Sequence, residues 1–206
     1  IPHLLSLVKL PCYNDLIMKV CLKDNRGGIM EKNTLKGVWD FVVEVLIVIG
    51  LALFIWLFIG QKTHVVGQSM EPTYHNGDQV IIEKVTYYLR DPQRFDVIVF
   101  PYKQYTKNHY IKRIIGLPGE TVDIQGGNIY INGAKLDESF GKEPINTYGN
   151  ITFPFTVPDG EYFVMGDNRN NSSDSRFQDV GTIKKKDITG KAWLRVWPFS
   201  DFGIVK

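Results

Sequence analysis

"TVDIQGGNIYINGAKL", residues Thr121–Leu136, decides the fold class of this chain. Val122 and Ile124 alternate with Thr121, Asp123 and Gln125, and the same period of two resumes beyond Gly126-Gly127. That alternation is the pattern of half-buried strands, and a Gly-Gly pair suits a two-residue hairpin turn. Asn132-Gly133 supplies a second turn signal directly afterwards. Working outward, "DQVIIEKV", "FDVIVF", "EYFVMG" and "AWLRVW" are further short runs, most of them rich in Val and Ile and bounded by Gly, Asp or Pro. Polar connectors such as "DESFGKEPINTYGN" separate them, and no segment has the pattern of a long amphipathic helix. The expected fold of residues 61–206 is therefore mainly β.

The totals leave room for one domain of ordinary size plus extras, since the chain has 206 residues. A net charge of +2 is too mild for a nucleic-acid partner, which needs a concentrated basic face. Both cysteines, Cys12 and Cys21, precede the strand region, so it can hold neither a disulfide framework nor a cysteine-ligated zinc. His3, His64, His75 and His109 show no metal-ligand spacing, and no metal site is expected.

One segment breaks the β pattern. "FVVEVLIVIGLALFIWLFIG", residues 41–60, is apolar all round and is interrupted only by Glu44 near one end. At 1.5 Å per residue it covers about 30 Å, the thickness of a bilayer core. A cleaved signal would end in a small-x-small site, and "LFIGQKTHVVG" offers none, so a retained transmembrane anchor is expected. Lys32 and Lys36 lie before it and only Lys62 just after, which predicts a cytoplasmic N-terminus and an extracytoplasmic domain over 61–206. Residues 30–40 read as a charged lead-in. Residues 1–29 read as an atypical extension (a cloning remnant, a misassigned start or a flexible segment), because Met30 would make a natural start.

Three polar segments stand out from the scaffold. In "VVGQSMEPTYHNGD" Ser69 follows shortly after the anchor, without a Gly-x-Ser-x-Gly or an obvious histidine partner. In "HYIKRIIGLPGE" period two places Lys112 on the face of Tyr110 and Ile114, which is apolar. A lysine among apolar neighbours loses hydration and its pKa falls, so a neutral amine becomes available as a general base for a serine hydroxyl. A lysine that snorkels out of the sheet fits the same local pattern. The third, "GDNRNNSSDSR", has eleven residues with no aliphatic or aromatic side chain. It suits a buried polar network or an exposed turn-rich loop.

Taken in order, "GQSMEPTY", "NGDQVIIEK", "RFDVIVF", "YIKRIIGLPGE" and "GDNRNNSSDSR" closely resemble the sequence boxes of type I signal peptidases, membrane-anchored serine proteases with a Ser–Lys dyad. The resemblance runs from the anchor to about Trp197, and the single anchor with a short ectodomain looks like the Gram-positive form. It implies a coiled antiparallel β-sheet domain on one N-terminal transmembrane helix. It also implies Ser69 as nucleophile, with its backbone N–H in the oxyanion hole, and Lys112 as general base. Ser172 would hydrogen-bond and direct the lysine, while Asp167, Asp174, Arg176 and Arg113 would brace the site through salt bridges. Met70, Tyr74, Tyr110 and Ile111 would form small apolar substrate pockets. The implied substrates are signal peptides of secretory preproteins, cut at Ala-x-Ala-type sites beside the lipid bilayer, by an enzyme free or associated with the protein translocase.

Departures from the family pattern are few. Gly67 stands where some relatives have a serine that helps bind the oxyanion, Asn170 where an aspartate is common, and Phe95 where glycine is usual. Trp193, Trp197, Phe199 and Phe202 lie close together near the C-terminus and read either as a core strand or as a membrane-facing patch. Rival readings are a Ser–His hydrolase using His75 or His109, a self-cleaving repressor-type peptidase, and a degenerate binder of signal peptides that does not cut.

Overall fold

The structure is a computed structural model that describes residues 30–58, 61–102, 105–141 and 143–205. The extension over 1–29 and the last two positions expected in the anchor lie outside the described residues. Helix α1 spans Met30–Phe58, so the charged lead-in is helical together with the apolar run. Its segment Lys36–Phe54 is long and apolar enough to cross a membrane, and none of its most apolar stretch is buried against protein. A helix apolar on every side with no protein cover fits a lipid environment, not a protein core.

After the anchor come β1 (Gln61–His64), β2 (Gln79–Glu83), the short helix α2 (Thr86–Leu89), β3 (Val97–Tyr102) and β4 (Tyr105–Gly116). β5 (Thr121–Gln125), β6 (Asn128–Ile131), β7 (Ala134–Lys135) and β8 (Phe155–Thr156) come next, then β9 (Glu161–Met165), β10 (Ile183–Lys184), β11 (Gly190–Trp197) and β12 (Gly203–Ile204). Among the described residues they make two antiparallel sheets. The larger runs β1-β2-β11-β3-β4-β9-β10, with β12 on β11, and the smaller runs β7-β6-β5-β8. Residues 121–135 form the heart of the smaller sheet. Val122 pairs with Ile131 and Ile124 with Ile129 across a turn at Gly126 and Gly127, whose φ values of 53° and 77° are those of a type I′ hairpin.

The alternating apolar residues fill three buried clusters. Ile115, Val122, Ile124, Ile129 and Phe163 belong to one that includes the inward face of the smaller sheet. Ile98, Phe100, Ile114 and Val164 share a second with half-buried Tyr110. Val65, Met70, Tyr74, Val80, Val97 and Val99 form the third. Strand β4 does most to position the polar residues: its register with β3 sets Lys112 opposite Ile98 and Tyr110 opposite Phe100, in the middle of the larger sheet.

Candidate active site

Ser69 sits in the turn between β1 and β2, and Lys112 sits on β4, 43 positions later in the chain. The fold brings their reactive atoms together, with Lys112 Nζ 2.8 Å from Ser69 Oγ. The amine also donates to the Ile111 carbonyl at 3.0 Å and lies 5.0 Å from the centre of the Tyr110 ring. Lys112 is only 4% exposed. Burial pushes its amine down from 10.5 to about 8, while the carboxylates of Asp174 and Asp167 work in the opposite direction. The alternative of a lysine snorkelling to solvent is thus not realised.

Buried ion pairs hold the polar residues around Ser69 and Lys112. Arg113, fully buried, grips Asp167 with two parallel bonds of 2.8 Å and donates to the Phe95 carbonyl at 2.9 Å. Thr73 donates to the same carboxylate at 2.5 Å, tying the turn that carries Ser69 to the 166–176 loop. Asp174 accepts two 2.8 Å bonds from Arg176 and a 3.0 Å bond from the Gly166 N–H. With both charges buried and every partner specified, loss of one member of either pair leaves an uncompensated charge, typically worth about 3–5 kcal/mol.

Ser172 departs from expectation. Its hydroxyl is buried without a hydrogen-bond partner, and the bond to Lys112 is not made, because the amine is directed to Ser69 and the Ile111 carbonyl instead. Ser172 nevertheless lies beside the pair. A Cβ at Gly166 would land on the Ser172 hydroxyl and on the Ser69 carbonyl oxygen, so both crowd one glycine. Only a residue without a side chain lets the 166–176 loop close against Ser69.

A cleft of about 790 Å³ opens over the pair. Tyr110 and Ile111 line it, with Val66, Gly67, His109 and Asn171. Met70 and Tyr74 do not line it: they are 1% and 0% exposed and pack into the cluster with Val65, Val80 and Val99. The turn after Ser69 is closed by a Tyr74 N–H bond to the Met70 carbonyl at 2.9 Å, which rolls both side chains inward. His109 reaches the cleft, yet the side-chain partner of Ser69 Oγ among the described residues is Lys112.

Several further residues have a part in the site, and their partners carry no signal in the sequence. Asn168 clamps the serine turn from the other side, its N–H donating to the Ser69 carbonyl at 3.0 Å and its side chain to the Gln68 carbonyl at 3.1 Å. Asn76 accepts the Gly67 N–H at 3.0 Å. Gly67 has φ of 93°, a backbone that a serine would adopt only with strain, so the departure at this position is set by the turn. Phe140 lies flat on the Arg113 guanidinium at 3.6 Å, and Glu138 pairs with Arg169, so the connector between β7 and β8 covers the back of the network. Asn168 is visible as part of "GDNRNNSSDSR", but its partner is not, since that bond spans a hundred positions.

Asn170 is not a lost brace. Its side-chain oxygen accepts the N–H groups of Asn146 and Thr147 at 2.7 and 3.2 Å, while its amide donates to the Pro144 carbonyl at 2.9 Å. A carboxylate could make the first two bonds but not the third.

The chain matches the family described as "Signal peptidase, peptidase S26" over residues 38–197. It is similar to a probable signal peptidase I-2 of Synechocystis sp., at 41% identity over 75% of this chain and 71% of the relative. It is also similar to signal peptidase I P of Bacillus subtilis subsp. natto, at 36% identity over 82% of this chain and 94% of the relative. A crystal structure of a signal peptidase I from Enterococcus faecalis V583 covers 50% of this chain and 97% of its own, with 38% identity and a TM-score of 0.43. With a match of that extent and relatives of that identity, the chain belongs to the signal peptidase family, peptidase S26, and is a type I signal peptidase, a serine endopeptidase that removes signal peptides.

Proposed function

We propose that this peptidase cuts by a Ser69–Lys112 dyad. The observation that carries the reading is a buried amine 2.8 Å from the Ser69 hydroxyl oxygen. Ser69 Oγ attacks the scissile carbonyl while Lys112 Nζ, in its neutral form, takes the hydroxyl proton. The resulting oxyanion is met by the Ser69 N–H, which donates to no protein acceptor among the described residues. Collapse of the tetrahedral intermediate breaks the peptide bond. Lys112 then hands its proton to the leaving amine, which is the new N-terminus of the mature protein. A water deprotonated by Lys112 attacks the acyl-enzyme ester, the ester C–O bond breaks, and Lys112 returns its proton to Ser69 Oγ, which releases the signal peptide with a free carboxylate.

Asp167, Asp174, Arg113 and Arg176 position this pair through their buried ion pairs, and no cofactor enters any step. Tyr110 and Ile111 supply apolar wall to the substrate cleft, so small residues three positions and one position before the cut fit there. Ser172, beside the dyad, directs the lysine once its hydroxyl turns to the amine. The helix α1 anchors the chain in the cell membrane, with the N-terminus cytoplasmic and residues 61–206 extracytoplasmic, where preproteins emerge from the translocase.

The test uses detergent-solubilised full chain and a preprotein with an Ala-x-Ala site, with the cut located by mass spectrometry over pH 6–10. Cleavage after the second Ala, abolished in Ser69→Ala and in Lys112→Ala, is the expected result. Cleavage that survives Lys112→Ala would move the base elsewhere and sink the dyad.

A further inference from the structure

Away from the Ser69 cleft, a second cavity of about 330 Å³ lies between α2 and the turn that leads into β11. It is lined by Lys84, Lys185, Lys186, Tyr87, Tyr88 and Thr189, with no aspartate or glutamate among the lining residues. Lys185 is paired with Asp91 at 2.6 Å. Among the described residues no carboxylate stands within ion-pairing distance of Lys84 or Lys186. The acidic neighbour of Lys84, Glu83, accepts the Thr86 N–H at 3.0 Å at the start of α2. Tyr87 is fixed as a wall by its hydroxyl bond to Asp96 at 3.3 Å. Unpaired ammonium groups gathered in one cavity repel each other and are stabilised together by an anion.

The place of this cavity in the chain says which anion. Helix α1 ends at Phe58 and β1 starts at Gln61, three Cα steps on, at most about 11 Å of chain. Gln61 pairs with Ile82 in β2, two residues before Lys84. Strand spacing and rise, at right angles to each other, then put the Lys84 Cα on the order of 8 Å from that of Gln61. Beside it Tyr88 and Leu89 project from α2 with 77% and 82% exposure, apolar groups next to amines. Amines flanked by exposed apolar tips, at the exit of a membrane helix, form a surface suited to lipid headgroups.

We propose that this cavity binds the phosphate headgroup of an anionic phospholipid in the leaflet where the chain leaves the membrane, with Lys84 and Lys186 as its charged contacts. The proposal rests on the reading of α1 as a membrane anchor. It implies that the catalytic domain is held against the bilayer by lipid charge as well as by its tether.

Electron spin resonance of spin-labelled phosphatidylglycerol and phosphatidylcholine tests this on the full chain in phosphatidylcholine bilayers. The wild type is expected to select the anionic lipid. The double variant Lys84→Gln, Lys186→Gln should lose up to about thirty-fold of that selectivity, from about 1 kcal/mol per lysine at an anionic surface. Lys135→Gln, on β7 in the other sheet, should leave selectivity unchanged. Equal selectivity in wild type and double variant, or none in the wild type, overturns the proposal. Inorganic phosphate separates the two sources of the same chemistry: selectivity erased by dilute phosphate would mean a free-phosphate site and would equally overturn the lipid assignment. Carbonate extraction reads the anchor independently, since a chain released by it was never membrane-spanning. Unchanged cleavage of a short soluble peptide shows that the double variant is folded.

Discussion

Lys112 sets a cost in stability against a proposed benefit in chemistry, in a single side chain. Its amine sits near 8 rather than 10.5 because burial removes water from the charged form. The unfolded chain therefore binds more protons than the folded one between those two values, so the contribution of this residue to stability rises with pH across that window. Below about pH 8 the fold bears the whole cost of a buried ammonium, about 3 kcal/mol at 1.36 kcal/mol per pH unit. Replacing it with a neutral chain of similar length should remove that cost. Lys112→Met is expected to abolish cleavage yet unfold at a higher temperature than wild type at pH 7, with the gap closing above pH 10. If the neutral amine is the working form, as the proposed dyad requires, wild-type cleavage should itself rise through an apparent pKa of about 8. A Met variant that melts below wild type at pH 7 would show that the attraction of the Asp174 and Asp167 carboxylates for the Lys112 ammonium outweighs the cost of burial.

At the scale of the element, the turn entering β3 shows what sequence reasoning can and cannot reach. The strands themselves are legible, because alternation in "TVDIQGGNIYINGAKL" and "FDVIVF" comes directly from one buried face. Lys112 is legible as an odd residue on such a face, and the motif order supplies its partner. The position of Phe95 is visible as a departure but its meaning is not, since φ at one residue depends on where the chain must go next. Its φ is 72°, the left-handed region in which glycine is at ease. The strain of about 1–2 kcal/mol is offset by the ring, which packs 5.1 Å from Phe140 and against the core cluster of Ile115 and Phe163. Met70 and Tyr74 prove to be core residues rather than pocket walls for a similar reason: a serine turn can present its neighbours to substrate or roll them into the core, and both patterns read alike. For Phe95 the contributions of strain and ring can be separated. Deleting a half-buried ring costs roughly 2–3 kcal/mol, below the range for a fully buried one. Phe95→Gly should then be about 1–2 kcal/mol less stable than wild type. Phe95→Ala should be lower again by about 1 kcal/mol, because it keeps the strained backbone and loses the ring. Denaturant midpoints in that order (Phe, Gly, Ala) would support the account, and an alanine variant as stable as the glycine one would remove strain from it.

For the whole molecule, the remaining question is how a soluble-looking β domain meets substrates that arrive in a membrane. The C-terminal aromatics bear on it, because the structure does not bury them as a core strand would. Trp197, Phe199 and Phe202 are 46%, 75% and 60% exposed, and Ile204 on β12 is 63% exposed beside them in the chain. Ala192 on the same strand β11 is buried, so the strand divides into a core end and an open end. Large apolar side chains gathered on an open surface mark an interaction site, and tryptophan favours the headgroup region of a bilayer. The patch is expected to dip into that region and to lower the energy of approach for a membrane-embedded substrate, while playing no part in the chemistry. Cleavage of a short peptide in detergent should then be unaffected by Trp197→Ser with Phe202→Ser, whereas cleavage of a preprotein in vesicles should fall through KM. Quenching of Trp197 fluorescence by brominated lipid, in a Trp39→Phe, Trp56→Phe, Trp193→Phe background, gives the direct readout. Strong quenching together with a KM effect confined to vesicles would place the patch in the interface. A Trp197 unquenched by lipid, with both substrates cut as by wild type, would leave the tether and the lysine cavity as the domain's means of meeting the membrane.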